Sequence, residues 1–330
     1  MENNHLYKSS TNCIRGFACI CIIFCHLHWK DLNPCNPILL FKETGSVAVG
    51  VFFFYTGYNL IWAYQHSDIF DVKRFLQKKM FRIVIPFWTT NLAYCIFEFL
   101  IGDDIKGKDV WAYIIGIKLI NSTSWYVIAV LSIYIIFALV FYVYSKQEYH
   151  NCVMTLCMFL LVMLLYAMLC SVALKYVHRG FTKPLNQYPL SLFIGALFAC
   201  IKNMHIKPYK IGSITLFLGI IGWCACSKVV PYLYISVGVW KYIVPSLVAV
   251  TLNCLIWDVE IHCCFLEKIA EYSFEAYILH FLCMLLYRQK LWVKFDILFM
   301  ILYLVTLMIL SIALHKVVLL IEKKCGAYKK

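Results

Sequence analysis

Charge is scarce in this chain. Only 14% of its 330 residues are Asp, Glu, Lys or Arg, against about a quarter in ordinary soluble domains. That shortage excludes a protein with a fully solvated polar shell. Together with 63% hydrophobic residues and a mean hydropathy of +0.77, it defines a polytopic membrane protein. No small-residue cleavage site follows the first apolar run, and a second run comes directly after it. The first run is therefore read as a retained transmembrane helix and not as a secretory leader. Repeats, low-complexity tracts and soluble-domain linkers are also missing, so a single membrane domain over 1–330 is expected.

Matched Cys-x-x-Cys pairs at zinc-module spacing are absent too, despite 17 cysteines. Cys13, Cys19, Cys21 and Cys25 lie in the first apolar run, and Cys95, Cys157 and Cys254 in others. A free thiol in such a place behaves as a small hydrophobe. Cys25, His26 and His28 offer soft ligands, but their pattern is not that of a zinc site, and no metal is expected. The net charge of +13 does not indicate nucleic acid. Its lysines and arginines fall between apolar spans, where they set topology and meet the headgroups of membrane lipids.

What the chain does have is length in apolar runs. About 20 such residues cross a bilayer, which predicts an all-α, polytopic bundle of about ten transmembrane helices. The expected spans lie near 13–29, 45–64, 83–101, 124–145, 152–174, 187–201, 211–227, 233–257, 274–288 and 296–320. Two further apolar stretches, around Trp111 to Ile120 and Tyr232 to Trp240, suit interfacial or re-entrant segments. Lys73, Arg74, Lys78, Lys79 and Arg82 form the densest basic cluster, read as a loop, and the tail carries Lys323, Lys324, Lys329 and Lys330. An even number of spans puts both on one side, with Lys202, Lys207 and Lys210, and the basic excess makes it cytoplasmic. The segment from Lys175 to Lys183 argues weakly the other way. Both termini are expected in the cytoplasm.

Polar residues inside these spans are the candidates for chemistry. Arg15 and His26 are eleven positions apart, about three helical turns, so they share one face roughly 16 Å apart along the axis. Lipid cannot solvate both, which directs them to a protein interior. His26 suits a general base near neutral pH, and Arg15 an anion-binding or orienting role. The alternative is a pair of interfacial anchors. Lys79 and Arg82, one turn apart before Pro86, form a basic pair able to grip phosphate, or equally to anchor a span. Ser273, Tyr277 and His280, spaced i, i+4, i+7, make one polar stripe on the ninth span. Gly45, Gly50 and Gly57 permit close helix approach, and Thr56 can bond a backbone carbonyl. Trp125 and Tyr126 open the fourth span at an interfacial position. Glu98 and Lys241 are further intramembrane charges without an assigned role.

Taken in order, these features resemble the acyltransferase-3 family of integral membrane acyltransferases. The resemblance rests on R-x10-H at Arg15 and His26, and on Phe52 to Tyr58, similar to the family's FF-x-x-SG-[FY]. It continues through Lys79, Arg82 and Pro86, then Trp125-Tyr126, then the Ser273, Tyr277, His280 stripe. Thr56 replaces the usual serine and Lys79 the first arginine of the basic pair, which weakens bidentate phosphate binding there. No hydrolase-like domain follows the tenth span, so the stand-alone type is implied. The resemblance implies acyl-CoA, usually acetyl-CoA, as donor and a hydroxyl of a glycan or lipid-linked sugar as acceptor. It also implies a place in the bacterial inner membrane. His26 would be the catalytic base, Arg15 its partner, and Lys79 and Arg82 the holders of the coenzyme A phosphates. Trp125, Tyr126, Ser273, Tyr277 and His280 would bind the acceptor or support the site. A transporter is the alternative reading. It would predict inverted-repeat symmetry between the halves, and none is visible.

Overall fold

The computed structural model describes residues 8–27, 41, 44–66, 71–101, 107–144, 151–176, 189–200, 214, 246–256, 259–287 and 297–324. No strand occurs among them. The helices that position the site are α1 (Lys8–His26), α2 (Thr44–Gln65), α3 (Val72–Ile101), α4 (Val110–Ile114), α5 (Trp125–Tyr144), α6 (Cys152–Tyr176) and α7 (Pro189–Cys200). They are followed by α8 (Ser246–Leu255), α9 (Cys264–Glu271), α10 (Ser273–Leu286) and α11 (Ile297–Lys324).

Four helices are long and apolar enough to cross a membrane: Thr44–Gln65, Val72–Ile101, Ser122–Tyr144 and Ile297–Lys324. A fifth is added if α9 and α10, bent by 75° where they meet, form one broken span. Of the ten spans the sequence leads us to expect, four or five thus meet that test among the described residues. All but residue 214 of the expected span at 211–227 and most of that at 233–257 lie outside the described residues, as do Lys241 and the stretch from Tyr232 to Trp240. The stretch from Trp111 to Ile120 is no span. It is the short helix α4 followed by turns, with Trp111 and Ile117 exposed.

One boundary differs in a way that matters. Helix α3 begins at Val72, eleven residues before the expected start, so Lys73, Arg74, Lys78, Lys79 and Arg82 are helical and not a loop. Lys, Arg, Gln and Met are good helix formers, and the helix continues from its charged first turns into the apolar part, through the buried Pro86. That proline has no N–H to give to the Arg82 carbonyl one turn earlier.

The helices interlock through small residues. Gly57 of α2 lies on the Leu192 carbonyl of α7, and Gly195 of α7 lies on the Phe54 carbonyl of α2. A Cβ at either glycine would collide with backbone. This reciprocal contact makes α2 and α7 the most closely packed pair. Gly16 lies in the same way on the Leu266 carbonyl of α9, and Gly45 lies against Cys25 of α1. Polar contacts fix the remaining pairs. The Ser10 hydroxyl donates to Val259 O at 2.6 Å and accepts from Ile261 N–H at 2.8 Å, tying the start of α1 to the segment before α9. Glu275 of α10, 5% exposed, meets His315 Nδ1 of α11 at 2.7 Å.

Two apolar clusters result. One gathers Cys19, Ile22, Phe54, Tyr277, Leu279, Phe299 and Tyr303 around α1, α10 and α11. The other joins α2, α5, α6 and α7 through Ile61, Phe137, Phe141 and Phe159. Large apolar side chains such as Phe99, Leu165 and Ile309 remain exposed on the outer faces of α3, α6 and α11, as a lipid-facing surface requires.

Candidate active site

His26 is the last residue of α1, and its Nδ1 lies 2.8 Å from the Ile22 carbonyl. A carbonyl can only accept, so Nδ1 carries a proton and donates to it. The ring does not face lipid. It packs against the ring of His280, with centroids 4.9 Å apart at 43°. His280, in the middle of α10, is fully buried. Its Nδ1 donates to the Tyr277 carbonyl, which fixes the same tautomer, and its own carbonyl accepts from the Tyr303 hydroxyl of α11 at 3.1 Å.

The remaining residues of the sequence stripe separate into two places. Tyr277 stays with the pair: its ring centroid is 5.8 Å from that of His280 and 5.7 Å from that of Tyr126, edge-on. Its hydroxyl donates to the Thr123 carbonyl, just before α5. Ser273 is not drawn into this group. It sits at the α9–α10 bend, where its hydroxyl donates to Ala270 O at 2.9 Å and its carbonyl accepts from the Cys19 thiol at 3.7 Å. Tyr126 packs on Phe53 at 5.1 Å and lies beside the Thr56 hydroxyl. Trp125 backs this arrangement by stacking on Phe53 at 6.3 Å. Thr56 itself donates to Phe52 O at 2.8 Å, the carbonyl bond expected of it.

Toward the other end of α1, three cations approach one another. Arg15 is half-buried, and its charge acts on Tyr55, Lys79, Tyr126 and Tyr134. It has no carboxylate partner among the described residues. Lys79 Nζ stands 5.1 Å from the Tyr134 ring centroid and 6.0 Å from that of Phe75, a cation held on aromatic faces. The Arg82 Nε–H donates to Glu322 Oε1 of α11 at 3.3 Å. Glu322 is 3% exposed and Arg82 52%. Arg15, Lys79 and Arg82 thus gather at this end with the buried Glu322 among the described residues. Tyr126 lies between the two regions: the Arg15 charge acts on it, and its ring packs on Tyr277. Glu98 lies near the end of α3, half-buried, and its charge acts on Cys95. His28 is outside the described residues, and no group of three or more His, Cys, Asp or Glu converges among those described.

Several of these partners carry no sequence signal. Tyr303, Tyr134 and Glu322 lie in apolar or terminal stretches that read as ordinary span, and only the packing of α11 and α5 on α3 and α10 gives them a role. Asn121 could have been found. It stands before Ser-Thr-Ser ahead of an apolar run, a helix-start pattern, and its Oδ1 accepts from Thr123 N–H at 2.9 Å while its amide donates to the Tyr94 hydroxyl at 3.0 Å. It thereby steadies the turn whose carbonyl holds Tyr277.

An all-helical membrane protein whose opening helix carries a cation and an imidazole into the interior is the class these observations define. Residues 9–316 match the model of the acyltransferase-3 family, described as an acyltransferase domain. The chain belongs to that family and is a membrane acyltransferase. No curated protein and no solved structure matches it.

Proposed function

We propose that this protein transfers an acyl group, most simply acetyl, from acyl-CoA to a hydroxyl of a surface glycan or lipid-linked sugar. It would do so in the bacterial inner membrane with both termini cytoplasmic. The single observation that carries the reading is the setting of His26: an imidazole at the end of α1, oriented by its Nδ1–H on the Ile22 carbonyl and packed against the buried ring of His280. An imidazole held in a fixed orientation inside the protein suits a general base. His26 Nε2 takes the hydroxyl proton, the oxygen attacks the thioester carbonyl, and the thiolate leaves. Arg15, Lys79 and Arg82 supply the positive charge that a coenzyme A phosphate would seek, and Tyr134 gives Lys79 an aromatic seat. Their excess over Glu322 supports a donor entrance at that end, and the aromatic group of Trp125, Tyr126 and Tyr277 supports an acceptor near His26.

The test uses the full chain in lipid nanodiscs with radiolabelled acetyl-CoA and lipid-linked oligosaccharide. Wild-type protein transfers label. His26→Ala loses activity by at least about a hundredfold, the lower range for a general base, with unchanged thermal unfolding. Full activity in His26→Ala removes the proposal.

A further inference from the structure

Tyr55 of α2 carries a hydroxyl that the fold itself does not use. The residue is 2% exposed, its ring packs edge-on against Phe54 at 5.6 Å, and its oxygen has no hydrogen-bond partner among the described residues. Buried polar atoms are nearly always satisfied, and one that is not calls for an explanation. Phenylalanine, which stands at the three positions before it, would fill the same space without a stranded hydroxyl.

The surroundings of that oxygen give a second observation. The start of α2 meets the end of α1, with Gly45 on Cys25, so the two helices run antiparallel. Ten positions along each helix from that contact, about 15 Å, stand Arg15 and Tyr55 at one height. The Arg15 charge acts on Tyr55. The Thr11 hydroxyl, one turn before Arg15 on the same face of α1, comes beside the phenol without completing a hydrogen bond. Arg15 has no carboxylate partner among the described residues, and its charge reaches Lys79 of α3 as well. Thr11 and Arg15 are both half-buried, so the group is open on one side. Guanidinium and phenol are both donors, and a single anionic oxygen group answers both.

We propose that Tyr55 is a phosphate ligand: its O–H, with the Thr11 hydroxyl and the Arg15 guanidinium, binds a phosphate of the acyl-CoA donor, and Lys79 closes the site from α3. This rests on the acyl-transfer reading and adds two hydroxyls to the cationic end. It also separates two positions there. Arg82, 52% exposed and bonded to Glu322, stands at the mouth, whereas Tyr55 and Arg15 lie within. Charge alone draws in an anion, but hydroxyls from two helices fix where it stops. The thioester arm then starts from a set point, roughly 16 Å along α1 from His26.

The experiment titrates CoA by calorimetry into the full chain in nanodiscs, as wild type, Tyr55→Phe and Thr11→Val. It also follows transfer from acetyl-CoA and from S-acetylpantetheine, a thioester without phosphates. Because the lost hydroxyl is unsatisfied, ligand-free Tyr55→Phe is expected to unfold no earlier than wild type. In that variant Kd for CoA and KM for acetyl-CoA rise about tenfold, kcat stays within about twofold, and the rate with S-acetylpantetheine is unchanged. Thr11→Val weakens CoA by about threefold or more. Unchanged CoA affinity in either folded variant overturns the inference. So does an equal loss with S-acetylpantetheine, which makes Tyr55 a ligand of the arm or a packing residue. Wild-type protein that binds CoA but transfers no acetyl removes the transfer reading alone, and the affinities still decide the phosphate site. Wild-type protein that does not bind CoA overturns both.

Discussion

At the scale of the residue, hydrogen bonds to backbone carbonyls decide what each side chain can do. His26 and His280 are both held as the Nδ1–H tautomer by carbonyls of their own helices. Tyr277 is anchored instead across helices, to the Thr123 carbonyl. Tyr277→Phe keeps the ring and removes the hydroxyl that makes that bond. It is expected to cost about 1 kcal/mol of stability, read as a lower unfolding midpoint in nanodiscs, and to lower transfer by loosening α10 against the start of α5. The spacing of Arg15, His26, Tyr277 and His280 was legible because helical periodicity alone puts residues on a face. Which of them meet was not legible. Ser273 fits the stripe as well as Tyr277 does, yet the α9–α10 bend gives its hydroxyl a local carbonyl and removes it from the group.

At the scale of the element, α3 shows where hydropathy misleads. A window for apolar length stops at the first charged turn, but the backbone does not, and the helix carries Lys79 and Arg82 on its charged N-terminal extension. The Arg82–Glu322 pair is a contact between α3 and α11 as much as part of the proposed donor entrance. Arg82→Ala should therefore do two things. It should raise KM for acyl-CoA, and by leaving a buried carboxylate without its partner it should cost about 1 kcal/mol, a modest figure because water reaches the arginine. Adding Glu322→Ala should restore the unfolding midpoint and leave KM high. A double variant that recovers both would assign Arg82 a purely structural role. The α2–α7 seam gives a sharper expectation. Gly57→Leu drives a side chain into the Leu192 carbonyl, and an overpacked contact between backbones should cost about 3 kcal/mol, seen as poor yield of folded protein and a large drop in midpoint. Gly57 was readable as a close-approach residue. Its counterpart Gly195 was not, because a single glycine in an apolar run says nothing of what lies across from it.

At the scale of the whole molecule, all-helical architecture and membrane class follow from composition, and both stand among the described residues. The number of spans does not follow so directly, since a 75° break and apolar helices shorter than a bilayer blur any count by length. Orientation is a separate matter. The start of α1, the start of α3 and the end of α11 gather at one end, with Arg15, Lys79, Arg82 and Glu322, so that end as a unit should face the cytoplasm. A fluorescent protein fused after Lys330 should be bright, and alkaline phosphatase fused at the same point inactive. The reverse pattern would place the basic entrance outside and separate it from the cellular pool of coenzyme A.

The paired glycines of α2 and α7 also supply a yardstick for recognising distant kin. Because backbone, and no side chain, sets the gap between those two rods, any chain sharing this layout must keep a hydrogen for a side chain at both places at once. Where bulk appears at one, the two rods must part, and Thr56, on the turn beside the seam, would drift from the phenol it accompanies.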